Sequence, residues 1–236
     1  MILYEDNHLL AVYKPAGILV QGDKTGDQTI LDYYKDYIKT TYDKPGAVYL
    51  HAAHRLDRPV SGCLILCKTS KALSRVTTAF REGEVKKMYH ALTSVRSTHP
   101  EGLITHNLRK DSTKNRSSIV KKGVKGAKEA KLTFQLSGAW REKYLYRIHP
   151  MTGRSHQIRV QLSSIGSPII GDRKYGGLPI EDPSFIYLHC TGMGLEHPVK
   201  KQPIFISIPP AEELLWAEAR DFIMKDLQNM QSDIMR

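Results

Sequence analysis

The run Cys63-Leu64-Ile65-Leu66-Cys67 is apolar at every position, has the length of a strand and follows Ser61-Gly62. In an extended chain residues two and four apart share a face, so the thiols at 63 and 67 read as packed core groups. Similar short runs recur. Strands are expected at 9–13, where Lys14-Pro15-Ala16-Gly17 stops the run, and at 88–95, 131–136, 144–149, 185–188 and 204–208.

Helical spacing appears in four places. Over 29–42, Ile30, Tyr33, Tyr34 and Ile38 recur at helical intervals with Thr29 placed to cap; over 71–82, Leu73, Val76 and Phe80 do so behind Ser70. A third helix is expected over 154–165, with Ile158, Leu162 and Ile165 inward and Arg154 in its first turn. The last follows Pro209-Pro210 and runs from Ala211 to about Asn229 on a stripe of Leu215, Phe222 and Ile223. Strands outnumber helices, so the expected class is α+β with a largely antiparallel sheet and flanking helices. There is no internal repeat.

The 236 residues carry 35 Lys and Arg against 24 Asp and Glu, a formal charge of +11, which favours a polyanionic partner such as nucleic acid. The length suffices for a sizeable core without disulfides. The start, Met1-Ile2-Leu3-Tyr4-Glu5-Asp6, lacks a signal-peptide pattern and no stretch approaches 18 apolar residues, so a cytoplasmic location is expected. Cys190 and the scattered histidines lack the paired spacing of a metal framework, and no Gly-rich phosphate loop is present; neither metal nor cofactor is expected.

Two segments place usable charge among small residues: His-Arg-Leu-Asp-Arg-Pro-Val-Ser-Gly at 54–62 and Thr-Gly-Arg-Ser-His-Gln-Ile-Arg at 152–159. An aspartate has a reference pKa of about 3.9 and is an anion at neutral pH, which makes Asp57 a ready nucleophile or base. A guanidinium against it would offset desolvation and fix the carboxylate plane, and Arg154 is the candidate partner. Pro59 forces Arg58 toward extended geometry, and Ser61-Gly62 permits close backbone approach.

At these segments the chain resembles the RluA-type family of RNA pseudouridine synthases. The resemblance runs through Lys14-Pro15-Ala16-Gly17, residues 54–62, Lys87-Met88-Tyr89, residues 150–159, Gly171-Asp172-Arg173-Lys174-Tyr175-Gly176, Leu188-His189 and His197-Pro198. Val60 departs from the threonine common in the family, and Gln161 from its usual histidine. The family often carries an N-terminal S4-type domain, but the motifs here begin by Lys14, so target selection is expected to rest on the catalytic domain and its loops.

The resemblance implies one catalytic domain over 1–236, a mixed central sheet with a cleft, and isomerisation of uridine to pseudouridine in ribosomal or transfer RNA. The chain is expected to act as a monomer. Asp57 would attack C1′ or C6 or remove the C2′ proton. The family's Lys-x-Tyr tyrosine lies against the flipped base, a role that falls to Tyr89. Arg55 would fill the space that base vacates, as a stacking guanidinium can. Leu188 and Ile158 would wall the pocket. Arg159, five residues after Arg154, is expected at a phosphate or in a structural ion pair.

Between 108 and 131, Arg109, Lys110, Lys114, Arg116, Lys121, Lys122, Lys125, Lys128 and Lys131 face only Asp111 and Glu129. With three serines, two glycines and few apolar anchors this segment reads as a flexible basic arm, with Lys121, Lys122, Lys125 and Lys128 on the RNA backbone. Two other classes stand beside this reading. A noncatalytic RNA-binding protein on the same fold would gain nothing from a buried anion beside RNA. A hydrolase or phosphotransferase would want a carboxylate cluster for metal or a Ser/His pair near Asp57.

Overall fold

The computed structural model describes residues 1–23, 26–211 and 215–235. Eleven strands join one sheet: β1 (Ile2–Glu5), β2 (Leu9–Lys14), β3 (His51–Ala52), β4 (Ser61–Cys67), β5 (Lys86–Thr93), β6 (Glu101–Asp111), β7 (Arg116–Val120), β8 (Lys128–Trp140), β9 (Lys143–Pro150), β10 (Leu188–Glu196) and β11 (Pro203–Ser207). Four α-helices accompany them: α1 (Ile30–Thr41), α2 (Ser70–Glu82), α3 (Gln157–Ser164) and α4 (Leu215–Met235). The order across the sheet is β1-β2-β4-β10-β5-β9-β8-β6-β7, with β11 on β10 and β3 on β4. Every named pairing is antiparallel except β4 with β10, where His189 stands opposite Ser61 and Cys190 opposite Gly62. The class is α+β with a largely antiparallel sheet, as expected.

The apolar run of β4 has a simple cause: both faces are covered. Cys63, Ile65 and Cys67 enter the main core with β5, β9 and β10, whereas Leu64 and Leu66 enter a second core under α1 with Leu10, Val12, Ile30 and Ile38. Each such aliphatic side chain contributes about 1.5–3 kcal/mol by leaving water. The thiols at 63, 67 and 190 are free and buried.

Where β4 meets β10 a side chain is forbidden. Gly62 has φ 124°, and a Cβ there would come within 2.6 Å of the Cys190 amide nitrogen and closer still to its carbonyl oxygen. This contact lets the parallel pair close beneath the loop that carries Asp57.

Local chemistry sets the helix ends. Thr29 caps α1 in a capping box with Asp32. At α2 the cap is Thr69, which accepts from the Ala72 amide at 3.2 Å, and Ser70 is already helical. The third helix begins at Gln157, not at Arg154, because His156 at its N-cap adopts a left-handed backbone, φ 54°. The start expected for the last helix falls partly on 212–214, outside the described residues; α4 continues to Met235, beyond Asn229. Among the described residues no helix is long and apolar enough to cross a membrane.

Two further expectations need correction. The strand at 185–188 lies instead at 188–196, where Gly192 and Gly194 conceal it. Their missing side chains make room for Phe205 and Leu227 at one and Ile234 at the other. The basic segment is not a flexible arm: its residues form the end of β6, all of β7 and the start of β8, with Lys121–Ala127 as the turn. Few but well-placed anchors account for this. Leu108 and Ala130 pack with Val160 and Tyr175, and the buried Ser117 donates through Oγ to the Ser155 carbonyl at 2.6 Å.

Candidate active site

Asp57 sits in the turn between β3 and β4, where the Val60 amide donates to the Asp57 carbonyl at 3.0 Å. The turn is pinned from several sides. The Gly17 amide donates to the Arg58 carbonyl at 2.8 Å, Arg58 Nε returns a bond to the Gly17 carbonyl at 2.9 Å, and the Ile186 amide donates to the Pro59 carbonyl at 3.1 Å. Lys14 is fully buried beneath it and donates through Nζ to the carbonyls of Pro15 at 2.7 Å, Ile18 at 2.8 Å and Arg58 at 3.2 Å. Upstream, His54 Nε2 accepts from the Ile65 amide at 3.1 Å, a bond that requires a neutral ring. Burial, with a small contribution from the Lys87 charge, takes His54 down to about 3, in accord.

The guanidinium that meets Asp57 is Arg159. Its Nη1 donates to Asp57 Oδ2 at 3.1 Å, while Nε and Nη2 grip Asp172 at 2.7 and 2.8 Å. Asp172 is 1% exposed at its side chain, Arg159 6% and Asp57 27%, so the cluster opens to solvent through Asp57. Burial pulls the Arg159 guanidinium down, but the Asp172 hydrogen bonds and charge, with Asp57, more than offset it and hold it above its ordinary value. A bidentate grip on one carboxylate leaves one edge of the guanidinium for the other, which fixes where Asp57 can sit.

Arg154 is elsewhere. It is exposed, its Nε donates to the Glu129 carbonyl at 2.8 Å, and it precedes the left-handed turn at His156. The expected Asp57–Arg154 pair is therefore replaced by Asp57–Arg159, and Arg159 is no surface contact for RNA: it lies in the first turn of α3, facing inward. Asp172 and Tyr175 come from the Gly171–Gly176 motif, to which sequence reasoning gave no role. His156, whose Nε2 lies 3.8 Å from Asp57 Oδ2, was missed as well.

Tyr89 on β5 is 9% exposed and packs in the main core with Leu56, Ile158 and Leu188. Burial pushes its phenol well above the usual range, and the nearby Cys190 and Asp57 add to this, so the ring stays neutral. Arg55 is exposed on the same loop as Asp57. Lys121, Lys122, Lys125 and Lys128 are exposed along the β7–β8 turn. Lys174 Nζ donates to the Asn115 carbonyl at 2.8 Å and ties the 171–176 loop to the β6–β7 turn. Among the described residues no group of three or more His, Cys, Asp or Glu stands close enough to hold a metal ion.

Comparison with known proteins points the same way. The family described as RNA pseudouridylate synthase matches residues 8–164. Ribosomal large subunit pseudouridine synthase C of Buchnera aphidicola subsp. Acyrthosiphon pisum (strain APS) is 34% identical over 217 residues, covering 88% of this chain and 66% of that protein. Ribosomal large subunit pseudouridine synthase D of Yersinia pestis is 31% identical over 213 residues, covering 84% and 63%. The chain thus spans just under two thirds of the length of these relatives. Among solved structures, human RNA pseudouridylate synthase domain containing 4 superposes with a TM-score of 0.75 at 22% identity, over 94% of this chain and 92% of that one. Human RNA pseudouridylate synthase domain containing 1 gives 0.69 at 23%, over 96% and 94%. At these identities the likeness shows the fold.

Proposed function

This chain belongs to the RNA pseudouridylate synthase family, in its RluA-type branch, and from that premise we propose that it isomerises uridine to pseudouridine in RNA, with Asp57 as the reacting group. The names of its relatives support large-subunit ribosomal RNA as the substrate. The reading extends to a single catalytic domain over 1–236, acting as a monomer in the cytoplasm.

The observation that carries it is the Asp57–Arg159–Asp172 cluster. In the isomerisation the N1 bond to C1′ breaks, the base turns, C5 bonds to C1′, and the proton lost from C5 is matched by one gained at N1; nothing is oxidised or reduced. The chemistry needs a charged group at the sugar or base, and the solvent-facing carboxylate of Asp57 supplies it, at C1′, at C6 or toward the C2′ proton. Arg159 holds that carboxylate while Asp172 holds Arg159. Unstacking the target base costs about a few kcal/mol, and stacking on an aromatic face returns about 1–3 kcal/mol, the part assigned to Tyr89. Arg55 stacks into the space the base leaves, with Ile158 and Leu188 as the apolar wall.

Arg154 and the exposed lysines at 121, 122, 125 and 128 act on the phosphates, since each is a solvent-facing cation. The test is tritium release from C5-labelled uridine in ribosomal RNA. The native protein is expected to release label and Asp57→Asn to release none; equal release from both, or none from either, rejects the reading.

A further inference from the structure

His156 is 7% exposed and holds φ 54°, a left-handed backbone that residues other than glycine seldom adopt. Such strain persists where the surroundings over-determine a side chain, and it concentrates at functional sites. Here one ring nitrogen is hydrogen-bonded and the other faces a charge. Nδ1 lies 2.9 Å from Tyr175 Oη, and Nε2 lies 3.8 Å from Asp57 Oδ2, short of a direct hydrogen bond but within reach of its charge.

Tyr175 Oη also meets the backbone of Ser117 on β7, whose amide donates to it at 2.8 Å and whose carbonyl lies 3.1 Å away. The hydroxyl has one proton to give. If it goes to the Ser117 carbonyl, Nδ1 must carry the imidazole proton, and the Nε2 lone pair then faces the Asp57 anion. If it goes to Nδ1, the shorter contact, Nε2 carries the proton and presents it to Asp57. The second arrangement leaves the Ser117 carbonyl without that proton but turns an N–H, not a lone pair, toward the Asp57 anion, and the charge of Asp57 selects it. A doubly protonated ring is disfavoured, because burial takes His156 down to about 4 against the opposing charge of Asp57.

We infer that His156 is a positioning residue for Asp57: a neutral imidazole protonated on Nε2, with its tautomer fixed by the Tyr175 hydroxyl that is itself anchored on the β7 backbone. The inference rests on the reading of Asp57 as the reacting group. It gives β7, the strand of Arg116, a continuous hydrogen-bonded path from Ser117 through Tyr175 to the ring beside the reacting carboxylate. Tyr175 is held for this purpose by more than its hydroxyl, since the guanidinium carbons of Arg116 and Arg159 lie 5.2 and 5.3 Å from its ring centroid.

The experiment combines nitrogen-15 NMR of histidine-labelled full-length protein with tritium-release kinetics on ribosomal RNA. His156, assigned by the signal lost in His156→Gln, is expected to carry its proton on Nε2. Tyr175→Phe, which keeps the ring and its cation contacts, is expected to admit the Nδ1 form and lower kcat about tenfold with KM for RNA unchanged. His156→Gln, whose amide can still donate toward Asp57, is expected to retain more kcat than His156→Leu. A proton on Nδ1 in the native protein, or full kcat in Tyr175→Phe, overturns the inference. Absence of release from the native protein rejects instead the function it rests on, and the NMR signal still reports the tautomer.

Discussion

Asp57 is held by Arg159, Oδ2 to Nη1 at 3.1 Å, and Asp172 grips the other edge of that guanidinium at 2.7 and 2.8 Å. The planar fork serves two carboxylates at once, one sealed and one open. A point charge cannot reproduce this, because lysine lacks the fixed geometry that places one donor edge when the other is occupied.

Exchanging each arginine for lysine therefore separates the two candidates. Arg159→Lys keeps the charge and loses the fork, and kcat for tritium release is expected to fall at least about tenfold, which corresponds to about 1.4 kcal/mol of misplaced carboxylate. Arg154→Lys keeps a cation at an exposed position and is expected to leave kcat within about twofold. Equal losses from both would show that the fork does not set the geometry.

Removing Asp172 has a different signature. Asp172→Asn leaves the buried Arg159 charge with Asp57 alone, and breaking one partner of a buried pair costs about 3–5 kcal/mol. Urea unfolding should show the loss in midpoint. A variant as stable as the native protein would mean that the ion pair is dispensable to the fold.

Gly62 offers a purely steric test. Gly62→Ala combines a strained backbone, φ 124°, with a methyl driven into the Cys190 peptide. Strain of this type costs about 1–3 kcal/mol and overpacking a similar amount, so a loss of about 2–6 kcal/mol is expected by chemical denaturation. Gly83, also left-handed at φ 79° but with nothing within 4 Å, should lose less on the same change.

Most of the fold was legible where one physical signal dominated. Doubly buried β4 showed as an unbroken apolar run, and the α1 cap showed in Thr29. The family motifs brought Asp57 to the site. What stayed hidden depended on tertiary contact. Gly192 and Gly194 argue against a strand by propensity, yet β10 needs them so that Phe205, Leu227 and Ile234 can pack across it. Helical spacing through 154–165 gave no sign that His156 would turn left-handed, and that one residue moves the first turn from Arg154 to Arg159. The strands within the basic segment rest on Leu108, Ala130 and Ser117, too few to register as a pattern.

Three histidines, His156 and His189 buried and His54 half-buried, set an acid limit on stability. Burial takes His54 and His189 down to about 3 and His156 to about 4, against about 6.5 for a free histidine. His189 explains the sense of this: Nδ1 lies 2.8 Å from Ser61 Oγ and Nε2 3.0 Å from the Ile208 carbonyl, so its donor and acceptor needs are met by a neutral ring. Between pH 6.5 and about 4 the unfolded chain binds protons that the folded chain does not, so stability is full above pH 6.5 and falls as the pH drops. The loss reaches at most about 2 kcal/mol per histidine by pH 5. Urea midpoints at pH 7.5, 6 and 5 should descend in order, and a flat series would contradict neutral burial.

Lys121, Lys122, Lys125 and Lys128 are exposed on an ordered scaffold, so substituting glutamine removes charge while the ladder from β6 to β8 stays intact. Each phosphate contact contributes about 0.7 to the slope of log affinity against log salt on single strands and about 0.9 on duplex. The fourfold glutamine variant is therefore expected to bind RNA with a slope shallower by up to about 3 on single strands or about 4 on duplex, and with unchanged kcat at saturating RNA. An unchanged slope would mean that these four cations do not touch the backbone, and the RNA path would have to run along Arg55 and Arg154 without them.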